Sequence, residues 1–473
     1  MNDKLCCNTF NFLVLNRLYE TGFSDGQILC LGVSGGADSI CLLTAIANAL
    51  DEKKVKQPIY VFTVDHKIRS KEESGGDCDF VKNYCDSLNQ KLHYVKIICE
   101  VCELKKGQVL HEAEIRNRGI EEAARYLRYK VFENKILLLL NSSENKKAFI
   151  ALAHNENDQV ETLIMRFLSG SDSGARGGIQ VKRTVLLEND KELNYVRPLL
   201  KVSRKEIEEY LTQQNILWRT DATNSNNDYL RNKIRNSIIP VLDKNVPGWK
   251  TGVLSGSEKA NFENSFLEKS IEGIEWQNEN GCLFMKQKDF ECLDFVQKER
   301  LVYRAINQVC DVNRMPFSFV KAVCNGEYNI CKNGVEITAE QGLLKVKKSK
   351  KKATIYGFFD IIEEDGLYDF DFGSLIVKSC KSGLAELEFV TKGGQNYYLN
   401  KVPVPFSFRS RQLSDWVYTK SKSKKSVSDV LSDFKIDADH KNLIPVIEDL
   451  SENGKKNIIA VWGNIFGYKN WIV

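Results

Sequence analysis

The chain has 473 residues and a mass of 54.0 kDa, with 42% hydrophobic and 27% charged residues, a balance that excludes global disorder, collagen and low-complexity scaffolds. At about 100–200 residues per domain, this length predicts two to four domains. Lys+Arg of 67 against Asp+Glu of 63 leaves +4, which neither demands nor excludes a nucleic-acid partner, so the placement of charge matters more than its sum.

Taken in chain order, the first half alternates short apolar runs with helix-patterned stretches. Residues 28–33 form an apolar run that stops at Ser34-Gly35-Gly36, and a helical stretch follows over about 39–50. Residues 59–64 are β-branched and aromatic and break at Asp65-His66. Phe80, Val81, Tyr84, Cys85 and Leu88 recur at helical spacing, 92–99 reads as another strand, and 112–140 as one or two helices. Residues 149–153 make an apolar strand ending at His154, with a helix from Asp158 onward. Such alternation predicts an α/β fold with a parallel sheet covered by helices on both faces. Ligands of these sheets sit beyond the carboxyl ends of the strands, where Ser34 to Ser39, Asp65-His66 and His154 to Asp158 all fall.

The pattern changes after Pro240. Residues 245–257 read as a linker punctuated by Pro247-Gly248, 258–323 as amphipathic helix, and the text from Ala353 onward as strand-rich with Gly and Asn turns. No run approaches the ~20 apolar residues of a membrane span. The N-terminal Met1-Asn2-Asp3-Lys4 leads into no signal-peptide core, and the 14 cysteines are scattered, so reduced thiols and a cytoplasmic location are expected.

Ser34-Gly35-Gly36-Ala37-Asp38-Ser39 lies between a strand and a helix. Its glycines let the backbone approach an anion, successive N–H groups at a helix start form an anion site, and Ser34 and Ser39 add hydroxyl donors. Asp38 suits a phosphate site only where Mg²⁺ mediates, which makes it the candidate metal ligand. Neither Gly-x4-Gly-Lys-Ser/Thr nor a strand-borne Gly-x-Gly-x-x-Gly occurs, so Walker-type and dinucleotide-binding loops are excluded here. The plain alternative is a tight turn with Ser and Asp as caps; all six residues together favour nucleotide binding.

Ser-Gly-Gly-x-Asp-Ser resembles the pyrophosphate loop of the N-type ATP pyrophosphatases, which cleave ATP between its α- and β-phosphates. Further motifs follow in order. They are Val64-Asp65-His66-Lys67-Ile68-Arg69; Glu121 to Tyr129; Ala153 to Thr162; Arg197-Pro198-Leu199-Leu200 with Arg204, Glu206 and Ile207; and Asp221, Thr223, Asn224, Tyr229, Arg231, Asn232 and Arg235. In the tail, Phe408-Arg409-Ser410-Arg411, Ser414-Asp415 and Trp462-Gly463 continue the series. Together these resemble the tRNA(Ile)-lysidine synthetase family. Lys67 and Ser414 stand where that family usually has glycine, and Asn157 where aspartate is common.

The resemblance implies a PP-loop ATPase domain (adenine nucleotide α-hydrolase-like) over 1–245, a helical tRNA-binding domain over 246–345, a strand-rich connection over 346–395 and a small C-terminal tRNA-binding domain over 396–473. It implies ATP-dependent ligation of L-lysine to carbon 2 of the wobble cytidine of a CAU-anticodon isoleucine tRNA through an adenylated cytidine, with AMP and pyrophosphate released and decoding changed from AUG to AUA. ATP and Mg²⁺ are the expected cofactors, tRNA(Ile) and lysine the expected partners, and a homodimer a possible assembly.

Among individual residues, Asp158, Glu161 and Thr162 share a helix face by their i, i+3, i+4 spacing, and two carboxylates there suit a lysine ammonium and its deprotonation. The plain readings are helix-dipole complementation for Asp158 and a solvated charge for Glu161. Arg125 and Arg128, and again Arg231 and Arg235, are helix neighbours placed either for a phosphate or as a solvated basic face. His154 at its strand end has a nucleotide-contact and a structural reading. Lysine runs at 345–352 and 420–425 suit RNA phosphates, with a solvated loop as the alternative. A tRNA 2-thiocytidine synthetase is the rival enzyme, because Cys99-Glu100-Val101-Cys102 is a CxxC. A small-molecule amidotransferase lacks its glutaminase constellation, and a non-catalytic RNA-binding protein would not need Asp38.

Overall fold

The computed structural model describes residues 7–67, 71–105, 107–116, 119–170, 174–219, 230–279, 281–309, 315–349, 357–379, 383–412, 415–418, 423–437, 440–451 and 457–472. The motif residues Ile68, Arg69, Asp221, Thr223, Asn224, Tyr229 and Ser414, and Lys350, Lys351, Lys352, Lys420 and Lys422 of the basic runs, lie outside these. Two compact units are present: residues 1–65, 69–103 and 128–348 form the first, and 66–68, 104–127 and 349–473 the second.

The first unit is built on a six-stranded sheet in the order β3-β2-β1-β4-β6-β5. Its strands are β1 (Ile28–Gly32), β2 (Pro58–Asp65), β3 (Lys96–Glu103), β4 (Lys147–Ala151), β5 (Lys182–Leu186) and β6 (Glu192–Val196). All pair in parallel except β5, which runs antiparallel to β6 at the edge. Alternation along β1 explains why both faces are covered. Leu29 and Leu31 point into a core shared with α1 (Cys7–Glu20), α2 (Ala37–Glu52) and α3 (Lys71–Asn89). Ile28 and Cys30 point into the opposite core with Phe132, Ile136 and Leu140. The later part of α5 (Ile120–Asn141), α6 (Glu156–Leu168) and α7 (Arg204–Gln213) complete this part of the first unit, whereas α4 (Gln108–Ile115) and the start of α5 belong to the second.

Strand order reverses between β1 and β4. The turns leaving those two strands therefore diverge and open a crevice at their carboxyl ends, where α2 and α6 begin.

Beyond α7 come α8 (Leu230–Lys233), a π turn over 234–238, α9 (Ile239–Asn245) and α10 (Trp249–Ser270). The expected linker at 245–257 is mostly helix. Residues 246–248 interrupt it, with Gly248 at φ 79° supplying the turn. The expected helical stretch to 323 is also interrupted. β7 (Gln277–Glu279) and β8 (Cys282–Lys286) form a hairpin that joins β9 (Ile330–Lys332), β10 (Val335–Glu340) and β11 (Leu343–Lys348). This antiparallel sheet packs on α11 (Gln287–Glu291), α12 (Phe295–Val309) and α13 (Phe317–Cys324) around Phe290, Leu301, Val320 and Leu344.

The second unit holds the strand-rich tail. Five strands, β12 (Phe359–Ile362), β17 (Phe406–Arg409), β20 (Val446–Asp449), β21 (Asn457–Val461) and β22 (Trp471–Ile472), form one sheet. β13 (Gly366–Phe370), β14 (Gly373–Ser379), β15 (Leu384–Thr391) and β16 (Asn396–Pro403) form a second, around Phe389, Phe408 and Trp462. A ribbon of β18 (Trp416–Tyr418) and β19 (Lys424–Ser426) leads into α14 (Val427–Asp433). In this unit α4 lays His111 against Phe359, ring centroids 5.1 Å apart. No helix among the described residues is long and apolar enough to cross a membrane.

Candidate active site

The loop after β1 is a small hydrogen-bonded cage. Ser39 Oγ donates to the Gly36 carbonyl at 2.9 Å and accepts from the Ser34 backbone N–H at 3.2 Å, while the Ser34 and Ser39 hydroxyls lie 3.3 Å apart. Gly35 sits at φ +84°, a conformation that a side chain there would strain. Gly36 caps α2 without a side-chain bond to the helix start, so Ala37 begins a helix whose first N–H groups face the turn.

Asp38, in the first turn of α2, faces the start of α6. Asn155 Nδ2 donates to Asp38 Oδ1 at 3.0 Å, and Arg204 Nη1 to Asp38 Oδ2 at 2.7 Å. Burial pushes the Asp38 carboxyl above its ordinary range, Arg204 and Asn155 pull it back, and the Asp158 charge adds to the upward push. Burial opposes the Arg204 charge, but Asp38 and Glu208 outweigh it and hold the guanidinium above its usual value.

Asn155 and Asp158 cap α6 reciprocally: Asp158 N donates to Asn155 Oδ1 at 3.1 Å and Asn155 N to Asp158 Oδ2 at 3.0 Å. Asp158 thus fills its expected helix-start role and also meets Arg231, whose Nη2 donates to Oδ1 at 3.1 Å. Glu161 is not a solvated charge. It is 1% exposed and receives Arg231 Nε at 2.8 Å and Arg235 Nε and Nη2 at 2.6 and 3.0 Å. Asp38, Asp158 and Glu161 therefore stand opposite Arg204, Arg231 and Arg235, three charges of each sign at one end of the sheet.

Two residues that hold Asp38, namely Asn155 and Arg204, stand in the sequence motifs without an assigned role. A signal for them exists: Asp38 in an anion loop needs a donor, and residues just past the ends of β4 and β6 are the ones in reach. Asn157 has a defined place too, since its Oδ1 accepts from the Arg204 backbone N–H at 3.3 Å. Lys67 adopts φ 50°, which explains why glycine suits that position. Arg125 is exposed on the part of α5 that belongs to the second unit, so it is not among the residues that the first unit gathers.

The basic runs divide. Lys345 and Lys347 lie on β11 and pair with Glu340 and Glu336 of β10, so this stretch is balanced across strands. In the second unit Lys424 lies over the Trp416 ring at 4.2 Å, and Lys425 pairs with Asp433. The CxxC does not form a chelate. Three residues along a strand reverse the side-chain direction, and Cys99 packs on one core of the sheet while Cys102 is buried in the other.

Residues 12–242 match the family model described as the PP-loop domain. The tRNA(Ile)-lysidine synthase of Treponema denticola is 33% identical, over 94% of this chain and 92% of its own. That of Treponema pallidum is 28% identical over 93% and 92%, and that of Borreliella burgdorferi 30% over 79% and 80%.

Proposed function

The chain belongs to the tRNA(Ile)-lysidine synthase family, and from that premise we propose that the arginine–carboxylate array at the β1 and β4 strand ends carries both halves of its reaction. The enzyme is an ATP-dependent ligase that forms a carbon–nitrogen bond on tRNA(Ile). In the first half, the cytidine 2-oxygen bonds to the α-phosphorus of ATP as the bond to the bridging β-phosphate oxygen breaks, and pyrophosphate leaves. In the second, the lysine ε-nitrogen bonds to carbon 2, the carbon–oxygen bond breaks, and AMP departs with that oxygen.

Ser34, Gly35, Gly36, Ala37 and Ser39 suit the departing pyrophosphate, with two hydroxyls and the open start of α2. Among the described residues no group of three His, Cys, Asp or Glu side chains suits a metal cage. Asp38 fits an ion that arrives with nucleotide phosphates and water as its other ligands, the usual way Mg²⁺ is held. When bound there, Mg²⁺ supplies charge neutralisation at the phosphates.

The observation that carries this reading is the pairing of Glu161 with two arginines. Glu161 is buried, yet Arg231 and Arg235 are 25% and 39% exposed. Arriving phosphates compete for those guanidiniums, with planar donors matched to phosphate oxygens. The carboxylates of Asp158 and Glu161 are then released to hold the lysine amine and accept its proton. Arg125, exposed on α5, suits a tRNA phosphate, and the aromatic and basic β18–β19 ribbon meets tRNA backbone, in a cytoplasmic enzyme.

Labelled lysine incorporation into a CAU-anticodon transcript, with and without ATP, tests this. Asp38→Ala retains tRNA binding and loses pyrophosphate release; lysidine formation at the unaltered rate in that variant rejects the role of Asp38. The opposed directions of Cys99 and Cys102 count against the sulfur-transfer alternative.

A further inference from the structure

Helix α10 is fastened at its middle and at its C-terminal end to different cores. Near its C-terminus, Glu268 accepts Arg300 Nη1 at 2.8 Å and Arg304 Nη2 at 2.5 Å, both from α12, and Asn264 accepts a further bond from Arg300. Gln297 Nε2, also on α12, donates to the Ser270 carbonyl at 3.2 Å. This end of α10 therefore moves with the α12–sheet core.

Its middle converges on a single carbonyl. Ser257 Oγ, itself buried, donates to Gly177 O at 3.0 Å, and Asn261 Nδ2 donates to the same oxygen at 3.2 Å. A third donor is Gln159 Nε2 at 3.3 Å. Gln159 lies on α6 between Asp158 and Glu161, and its Oε1 accepts the Ile179 N–H at 2.6 Å. Arg166, later on α6, holds the Ala175 and Gly178 carbonyls of the same turn. A carbonyl oxygen has two lone pairs, so three donors saturate it.

The two glycines at this point admit a close approach of the Gln159 and Asn261 amides. A Cβ on Gly178 would come within 2.6 Å of the Gln159 amide, at a backbone φ of +73°. Gly177 has no left-handed backbone, yet a Cβ there would run into the Asn261 amide. Alanine at 177 therefore requires the Asn261 amide to turn away from the Gly177 carbonyl.

We propose that the Gly177 carbonyl is a joint through which α10, and with it the α12–sheet core, sets the position of α6 and of the Asp158 and Glu161 carboxylates. Gln159, Ser257 and Asn261 are positioning residues for the lysine half-reaction. α6 meets Asp38 of the pyrophosphate loop through Asn155 at its start, whereas the joint holds Gln159, between Asp158 and Glu161, so its larger effect falls on amino-acid use and its smaller one on adenylation. The inference rests on the reading of Asp158 and Glu161 as the amine-holding pair.

The test uses the full chain with ATP, Mg²⁺ and the CAU transcript. It compares Gly177→Ala, Asn261→Ala, the double variant and Glu161→Gln by pyrophosphate release without lysine, by KM and kcat for lysine, and by thermal melting. A displacement of order 1 Å at a reacting group is costly, so Gly177→Ala raises the lysine KM about tenfold or more while pyrophosphate release stays within about threefold. The double variant returns KM to that of Asn261→Ala, because the added methyl fills the vacated space. An unchanged lysine KM in Gly177→Ala beside a raised one in Glu161→Gln overturns the joint alone. An unchanged KM in Glu161→Gln overturns the lysine-site reading and the joint with it. Parallel loss of both half-reactions and of melting temperature in Gly177→Ala, without recovery in the double variant, reduces the contact to a structural one and overturns the proposal.

Discussion

Each compact unit carries an arginine–carboxylate cluster, and the two are made of the same chemistry to different ends. In the second unit Arg409 is 1% exposed and Asp415 is 0%. The Arg409 guanidinium makes five bonds: Nη1 and Nη2 to Asp415, Nη2 and Nε to Glu448, and Nη1 to the Ser410 carbonyl. Five donors are all that a guanidinium has, so the cluster is closed. In the first unit Arg204, Arg231 and Arg235 remain 25–39% exposed while holding Asp38, Asp158 and Glu161. Residue types alone do not distinguish a structural clamp from a site that exchanges partners; solvent access does.

That contrast breaks first at Arg409. Arg409→Ala leaves Asp415 buried without its cation, and removing one partner of a buried pair costs about 3–5 kcal/mol. A urea midpoint close to that of the unaltered protein contradicts the closed-clamp account. Arg231→Ala should do the reverse. Arg235 still pairs with Glu161, so the melting temperature holds, while loss of a cation that meets developing phosphate charge lowers kcat about 10²–10³-fold. Loss of stability without loss of turnover would place Arg231 with Arg409.

A third test uses the neighbour of the closed clamp. Burial, then the Arg409 charge, pull His111 down to about 4. A base whose folded pKa is depressed favours folding when neutral, so its contribution is present above the unfolded value of about 6.5 and is lost as pH falls toward 4, an effect of up to about 3 kcal/mol. His111→Gln should flatten the acid side of the stability–pH curve; the same slope in that variant assigns the loss to other groups.

The catalytic sheet was legible in the sequence because parallel strands buried on both faces read as apolar runs, and each chemical motif follows one of them. The carboxylate pair was legible as well, since Asp158 and Glu161 share a helix face by spacing alone. Which arginine meets which carboxylate was not. Arg204 and Asp38 are 166 residues apart, one after β6 and the other after β1, and only the sheet order β1-β4-β6 brings such distant strand ends together. The same limit hid the balance of the first lysine run. Its acids lie on the preceding strand, and the register pairing Lys347 with Glu336 depends on a hairpin turn at 341–342 that the run itself does not announce. The β7–β8 hairpin was masked by amphipathic helices on either side, although Cys282–Lys286 alternates in burial as a strand does.

The smallest expected effect is the most specific to the open cluster. Asp38 must be ionised to work beside a cation and phosphates, and its carboxyl sits above the ordinary range because burial outweighs the stabilisation it receives from Arg204 and Asn155. As pH falls through that raised pKa, kcat/KM for ATP in pyrophosphate release declines, since this parameter reports the free enzyme. Arg204 acts in the downward direction on Asp38. Arg204→Ala therefore moves the acid limb to higher pH, and Arg204→Lys, which keeps the cation but not the fork, moves it less. An acid limb that stays in place in Arg204→Ala shows that the titrating group is not Asp38. A limb that moves in Arg204→Ala and not in Arg409→Ala ties the shift to the cluster that solvent and nucleotide reach.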